Sequence, residues 1–98
     1  MSRYTLASIK PGHEVVVGWD PPLTTYYGQV FRENDVILWF GLNIDEIHDV
    51  EKAVALLSPF ATVPAYVLTQ LIADRAASLD RRLGPAQLAA RAFIKQNQ

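Results

Sequence analysis

The chain has no cysteine. That removes disulfides, thiolate metal ligation and a cysteine nucleophile. Its five glycines, at 12, 18, 28, 41 and 84, are scattered. They form neither GxGxxG nor the GxxxxGK motif, so the familiar phosphate-cradling loops are absent. There are two histidines and no HExxH or GxSxG pattern. No apolar run approaches the roughly 20 residues that span a bilayer. The opening, MSRYTLASIKPGHE, lacks the apolar segment of a secretory signal. These absences set the expectation of a cytoplasmic protein with no cofactor, no metal and no membrane association.

What is present is an apolar, aromatic-bearing chain. Half of its 98 residues are hydrophobic and 19% are charged, a composition that folds into a single core rather than staying disordered. The net charge of −1 hides an asymmetry. Residues 1–60 carry four cations against eight anions, a net of −4, and residues 61–98 carry five against two, a net of +3. The two halves could attract each other within one molecule or across a dimer, or form two ordinary solvated surfaces.

The centre of the reading is Gly18–Gly41, which holds both tryptophans. Residues 3–9 predict a first strand, and Pro11-Gly12 a type II turn, with proline presetting φ and glycine accepting a positive φ. His13–Trp19 predicts a second strand with Val15, Val17 and Trp19 on one face. Asp20-Pro21-Pro22-Leu23 interrupts the sheet because proline has no N–H to donate; a rigid, extended connector is expected, with Asp20 accepting from the turning backbone. The third strand runs from Thr24 or Thr25 to Arg32, and Gly28 within it implies a bulge or a close approach. Val36–Phe40 is apolar on both faces, which predicts a central or covered strand rather than an exposed edge.

From Gly41 the period changes to helical. Asp45 or Asp49 is a candidate N-cap. Val50, Ala53, Val54, Leu57 and Phe60 make one stripe, ended by Ser58-Pro59. A second helix starts near Pro64 and runs to about Arg82, with a stripe of Leu68, Leu71, Ile72, Ala76 and Leu79 beside Val67, and with Asp74 and Ser78 mainly outward. Gly84-Pro85 predicts its end, and 86–96 a short third helix. The expected fold is α+β in one domain, 1–98. Residues 1–41 form a three- to four-stranded antiparallel meander, and residues 42–98 a helical half with two or three helices packed on one face of the sheet.

Three kinds of function compete for these residues. An enzyme would centre on His13 with Asp20, or on His48 with Asp45 or Asp49, but neither group has a known ligand or catalytic spacing, and a solvated turn and helix entrance explain them more simply. A nucleic-acid binder would use Arg75, Arg81, Arg82 and Arg91 on the helices, or stack bases on the strand aromatics; the acidic strand half opposes phosphate. The third reading is protein–protein contact without catalysis, with a homodimer as one form. If helices cover one face of the sheet, the other is left to solvent, the chain start, the third helix or a partner. Contact residues are then drawn from Trp19, Tyr26, Tyr27, Phe31 and Trp39, with Asp20 and Glu33 at an acidic rim. This third reading fits the sequence best.

The segment GWDPPLTTYYGQV at 18–30, followed by ILWFG at 37–41, resembles a pattern in small proteins of proteobacterial plasmids and other mobile elements. The resemblance covers about the middle quarter of the chain and carries over no functional residue. It implies an accessory factor that binds host or element proteins, for example a modulator of host defence.

Overall fold

The computed structural model describes residues 1–82, with side chains to residue 79. Four strands, β1 (Tyr4–Leu6), β2 (His13–Asp20), β3 (Thr25–Arg32) and β4 (Asp35–Phe40), precede two helices, α1 (Val50–Leu57) and α2 (Ala65–Arg82). The strands form one antiparallel sheet in the order β1-β2-β3-β4. The α+β meander expected from the sequence is therefore present, with helices following strands.

Local chemistry explains the turns. Gly12 takes φ +74 after Pro11, as a type II turn requires. Between β2 and β3, Pro21-Pro22 do not form an extended connector. They sit in a tight turn in which the Thr24 N–H donates to the Pro21 carbonyl at 3.2 Å and the Leu23 N–H to the Asp20 carboxylate at 3.4 Å. Proline suits such a turn because no ladder bond is asked of it. The register closes as a hairpin, from Asp20 opposite Thr25 to His13 opposite Arg32. β1 is shorter than residues 3–9: beyond Leu6 the chain leaves the ladder, and the Ile9 N–H donates to the carbonyl of Phe60 at 2.8 Å.

Strand alternation puts Leu6, Val15, Val17, Trp19, Tyr26, Val30 and Phe40 on one face. Ala53, Leu57, Val67 and Leu71 of both described helices pack onto it. Each fully buried Val or Leu here contributes roughly 1.5–3 kcal/mol of apolar transfer. Trp19 meets Tyr26 edge-on, with ring centroids 4.9 Å apart. Gly28 owes its place to close approach rather than to a bulge: the Phe40 ring lies over it, and a Cβ would stand 2.3 Å from Phe40 Cζ. The bulge lies two residues on, where Val30 pairs with Leu38 but Phe31 with Val36, leaving Ile37 without an opposite number.

The first helix follows its periodicity. Asp49 is its cap, accepting the Glu51 N–H at 2.9 Å, and Ser58-Pro59 follow its end. The second is rotated from its expected stripe. Val67 and Leu71 are buried, but Ile72 is 54% exposed and Ala76 is exposed, whereas Asp74 is half-buried and Ser78 is buried. Two hydrogen bonds fix that rotation: the Tyr4 hydroxyl donates to Asp74 at 2.5 Å, and the Tyr26 hydroxyl to the Leu71 carbonyl at 3.4 Å. The Gly84-Pro85 stop and the third helix at 86–96 lie outside the described residues.

Among the described residues β4 is an edge strand and not the central or covered one that its apolar sequence predicts. Its inner residues pack, with Phe40 buried and Leu38 half-buried, but Val36, Ile37 and Trp39 are 48%, 44% and 50% exposed. The reason is topological. In a meander the last strand has a neighbour on one side, whatever its hydrophobicity.

Candidate functional site

The outer face of the sheet, opposite the helices, divides into a closed and an open part. The closed part lies at the Gly18 end. The Tyr27 ring crosses Gly18, where a Cβ would meet its Cε1 at 2.6 Å and the Ser2 carbonyl at 2.1 Å. The chain start is held there by three bonds. The Tyr27 hydroxyl donates to the Ser2 carbonyl at 2.5 Å, the Ser2 N–H to the Trp19 carbonyl at 3.1 Å, and the Trp19 N–H to Ser2 Oγ at 2.9 Å. Tyr27 is consequently 5% exposed, and burial pushes its hydroxyl pKa above the ordinary tyrosine value.

The open part lies toward the β3–β4 turn. Phe31 is half-buried and stands opposite Val36; Trp39 stands opposite Gln29. Counting outward from Leu38, which faces the helices, puts Ile37 on the outer side with Trp39. Glu33 and Asp35 are exposed at the end of this patch. Glu33 adopts φ +56 in the two-residue turn between Arg32 and Asp35, where hairpins call for left-handed backbone. From Val36 to Leu42 the chain carries no charge at all. The result is an apolar strip along a sheet edge with acids at one end.

Of the residues expected to contact a partner, the structure brings Phe31 and Trp39 together on this strip, with Glu33 at its end. It removes three others. Trp19 and Tyr26, each 2% exposed, belong to the core beneath the helices, and Tyr27 is sealed by the chain start. Burial raises the Tyr26 pKa in the same way as that of Tyr27. Asp20 is half-buried and spent on the β2–β3 turn. Val36 and Ile37 are additions. The sequence pattern that marks them is an uncharged apolar run in the last strand of a meander.

A second region lies under the far half of α2. A cavity of about 380 Å³ is bounded by Trp19, Thr24, Asp45, His48 and Arg75. A neighbouring one of about 280 Å³ lies against Trp19, Asp74 and Ser78. Trp19 Nε1 and Ser78 Oγ are buried without a hydrogen-bond partner among the described residues. The acid of each cavity is engaged: Thr24 donates its hydroxyl to Asp45 in the first, and Asp74 accepts from Tyr4 in the second.

The histidines do not meet. His13 Nδ1 lies 2.8 Å from the Pro11 carbonyl, with its ring against Phe60, and His48 Nε2 lies 2.6 Å from the Asp45 carbonyl. Among the described residues no group of three or more His, Asp or Glu side chains could hold a metal ion. Among them, too, no helix is long and apolar enough to cross a membrane.

Of the arginines considered for nucleic acid, only Arg75 has its side chain among the described ones. Arg75 is half-buried with its guanidinium over the Trp19 ring, 5.9 Å from the centroid. Arg81 and Arg82 end α2, and Arg91 lies outside the described residues. No family model, no curated protein and no solved structure matches the chain.

Proposed function

We propose that this protein acts by contact with another protein, through the open part of the outer face and the β4 edge, and not by catalysis. The observation that supports this reading is the half exposure of Val36, Ile37 and Trp39 on an edge strand. Apolar edges are usually blunted by charge, proline or cover, because a free strand invites pairing. Trp39 and Phe31 supply the aromatic anchors such contacts favour, and Glu33 and Asp35 an acidic rim suited to a basic neighbour. The resemblance to mobile-element proteins fits the same reading, as an accessory factor that binds a host or element protein.

Affinity capture from a host lysate with the full chain tests the proposal. A stoichiometric protein should be retained by the parent chain and by Ile72→Ala, whose site is on α2. Its retention should fall at least about tenfold with Phe31→Ala or Trp39→Ala, as the loss of an interface anchor predicts. Capture insensitive to both substitutions, or capture of nucleic acid that disappears at high salt, would overturn it.

A further inference from the structure

The β4 edge has a property beyond being apolar: it is compatible with itself. We infer that its occupant is the β4 strand of a second copy, paired antiparallel about a two-fold axis through Leu38, giving a continuous eight-stranded sheet. This rests on the reading of β4 as a contact surface and names the partner.

Three observations carry the inference. First, the two edges of the sheet differ. β1 has three residues, whereas β4 has six and, among the described residues, pairs with β3 alone. The longer apolar edge is the one able to support a ladder.

Second, charge placement favours an antiparallel mate. A parallel mate would set Asp35 beside Asp35 in the next copy. The antiparallel mate sets Asp35 opposite Gly41 and moves the two Glu33–Asp35 turns to opposite ends. The uncharged stretch from Ile37 to Trp39 then faces its own copy, with no acid inside it.

Third, one register is singled out. Both copies keep their helices on the same side of a continuous sheet only if paired residues lie on the same face, so their numbers must differ by an even step. Beyond the bulge at Val36-Ile37, centring on Leu38 pairs the regular stretch Ile37–Trp39 with itself. It places Ile37 of one copy beside Trp39 of the other, twice, and Leu38 beside Leu38. Ile37 and Trp39 are half exposed in the single chain. Each would gain an apolar neighbour, and the Phe31–Trp39 strips of the two copies would join across the axis. An isologous contact of this kind closes on itself and gives a dimer rather than a fibre.

Sedimentation equilibrium of the full chain over a wide concentration range tests this. The expected result is a reversible monomer–dimer equilibrium, with the dimer at twice 10.9 kDa. Ile37→Glu and Trp39→Lys should each weaken dimerisation by about tenfold or more, because each sets a charge against an apolar side chain. Mixing the two variants should restore a mixed dimer, since Glu at 37 of one copy then faces Lys at 39 of the other. Mixing Ile37→Glu with Ile37→Lys should not. The rescue also excludes misfolding as the cause of the loss. A monomer at every concentration, a dimer indifferent to both substitutions, or the opposite mixing pattern would overturn the inference. A monomeric chain whose capture of a different protein still depends on Trp39 would end self-pairing while leaving the contact function standing. A monomer with no such dependence would end both.

Discussion

Tyr27 lies across Gly18, and this contact sets the boundary of the exposed sheet face. The ring occupies the volume a side chain at 18 would need, and its hydroxyl secures the chain start through the Ser2 carbonyl. Gly18→Ala should therefore be costly. Its Cβ would clash with backbone at Ser2 as well as with the ring, so the chain start and Tyr27 must both move. Overpacking of this kind costs about 1–3 kcal/mol. Denaturant unfolding should show the loss, and binding of a hydrophobic dye should rise as Tyr27 is uncovered. An unchanged midpoint would show that Tyr27 does not seal this end.

Tyr4 and Asp74 give a pH signature. Hydrogen bonding to Asp74 is the main cause that pushes the Tyr4 hydroxyl up to about 12, with burial and the carboxylate's charge adding to it. A raised folded-state pKa means that the proton is held more tightly in the folded chain. The stabilisation is complete below the ordinary tyrosine value of 10.0 and is lost as pH rises through about 12. Absorbance titration of the phenolates should show this late tyrosine, and Asp74→Asn should bring it back toward the ordinary value. A Tyr4 that titrates normally in the parent chain would remove the bond.

Glu46 makes the opposite prediction. The Gly41 N–H donates to its carboxylate, the Asn43 side-chain amide donates as well at 2.8 Å, and together they hold its pKa below the ordinary value of 4.5. Its contribution is present above that value and is lost as pH falls through the lowered folded-state pKa. Glu46→Gln should flatten the stability curve below pH 4.5, measured by thermal melts in a pH series. An unaltered acid limb would show that the 41–46 loop draws nothing from this carboxylate.

Ser78 is buried, and among the described residues its hydroxyl has no partner. An unsatisfied buried hydroxyl costs about 1–3 kcal/mol, so Ser78→Ala should raise the melting temperature. With about 1 kcal/mol recovered, a domain of this size gains roughly 4–8 °C. A lowered melting temperature would instead mean that the hydroxyl has a hydrogen-bond partner in solution.

Much of the chain could be read in advance. The alternation of Val15, Val17 and Trp19 made a strand with one buried face, because side chains alternate along any extended backbone. Asp49 capped a helix that Ser58-Pro59 follow, because free N–H groups and proline sterics act within a few residues. Gly28 marked a close approach, although the approaching group, the Phe40 ring, comes from another strand.

Three of the misreadings share one character. Ile72 looked buried and Asp74 looked exposed, because the rotation of α2 depends on Tyr4, far away in the chain. Tyr27 looked available until Ser2 folded over it. Composition placed Val36–Phe40 inside the sheet, and sheet order put it at the edge.

The sequence by itself determined the four strands and the two described helices, their order and the Pro11-Gly12 turn, since these follow from local sterics, caps and the periods of the hydrophobic pattern. Only the tertiary structure decided which apolar residues meet solvent. Exposure depends on which strand lacks a neighbour and which distant segment lies over it, and those are facts about the assembled chain rather than about any window of it.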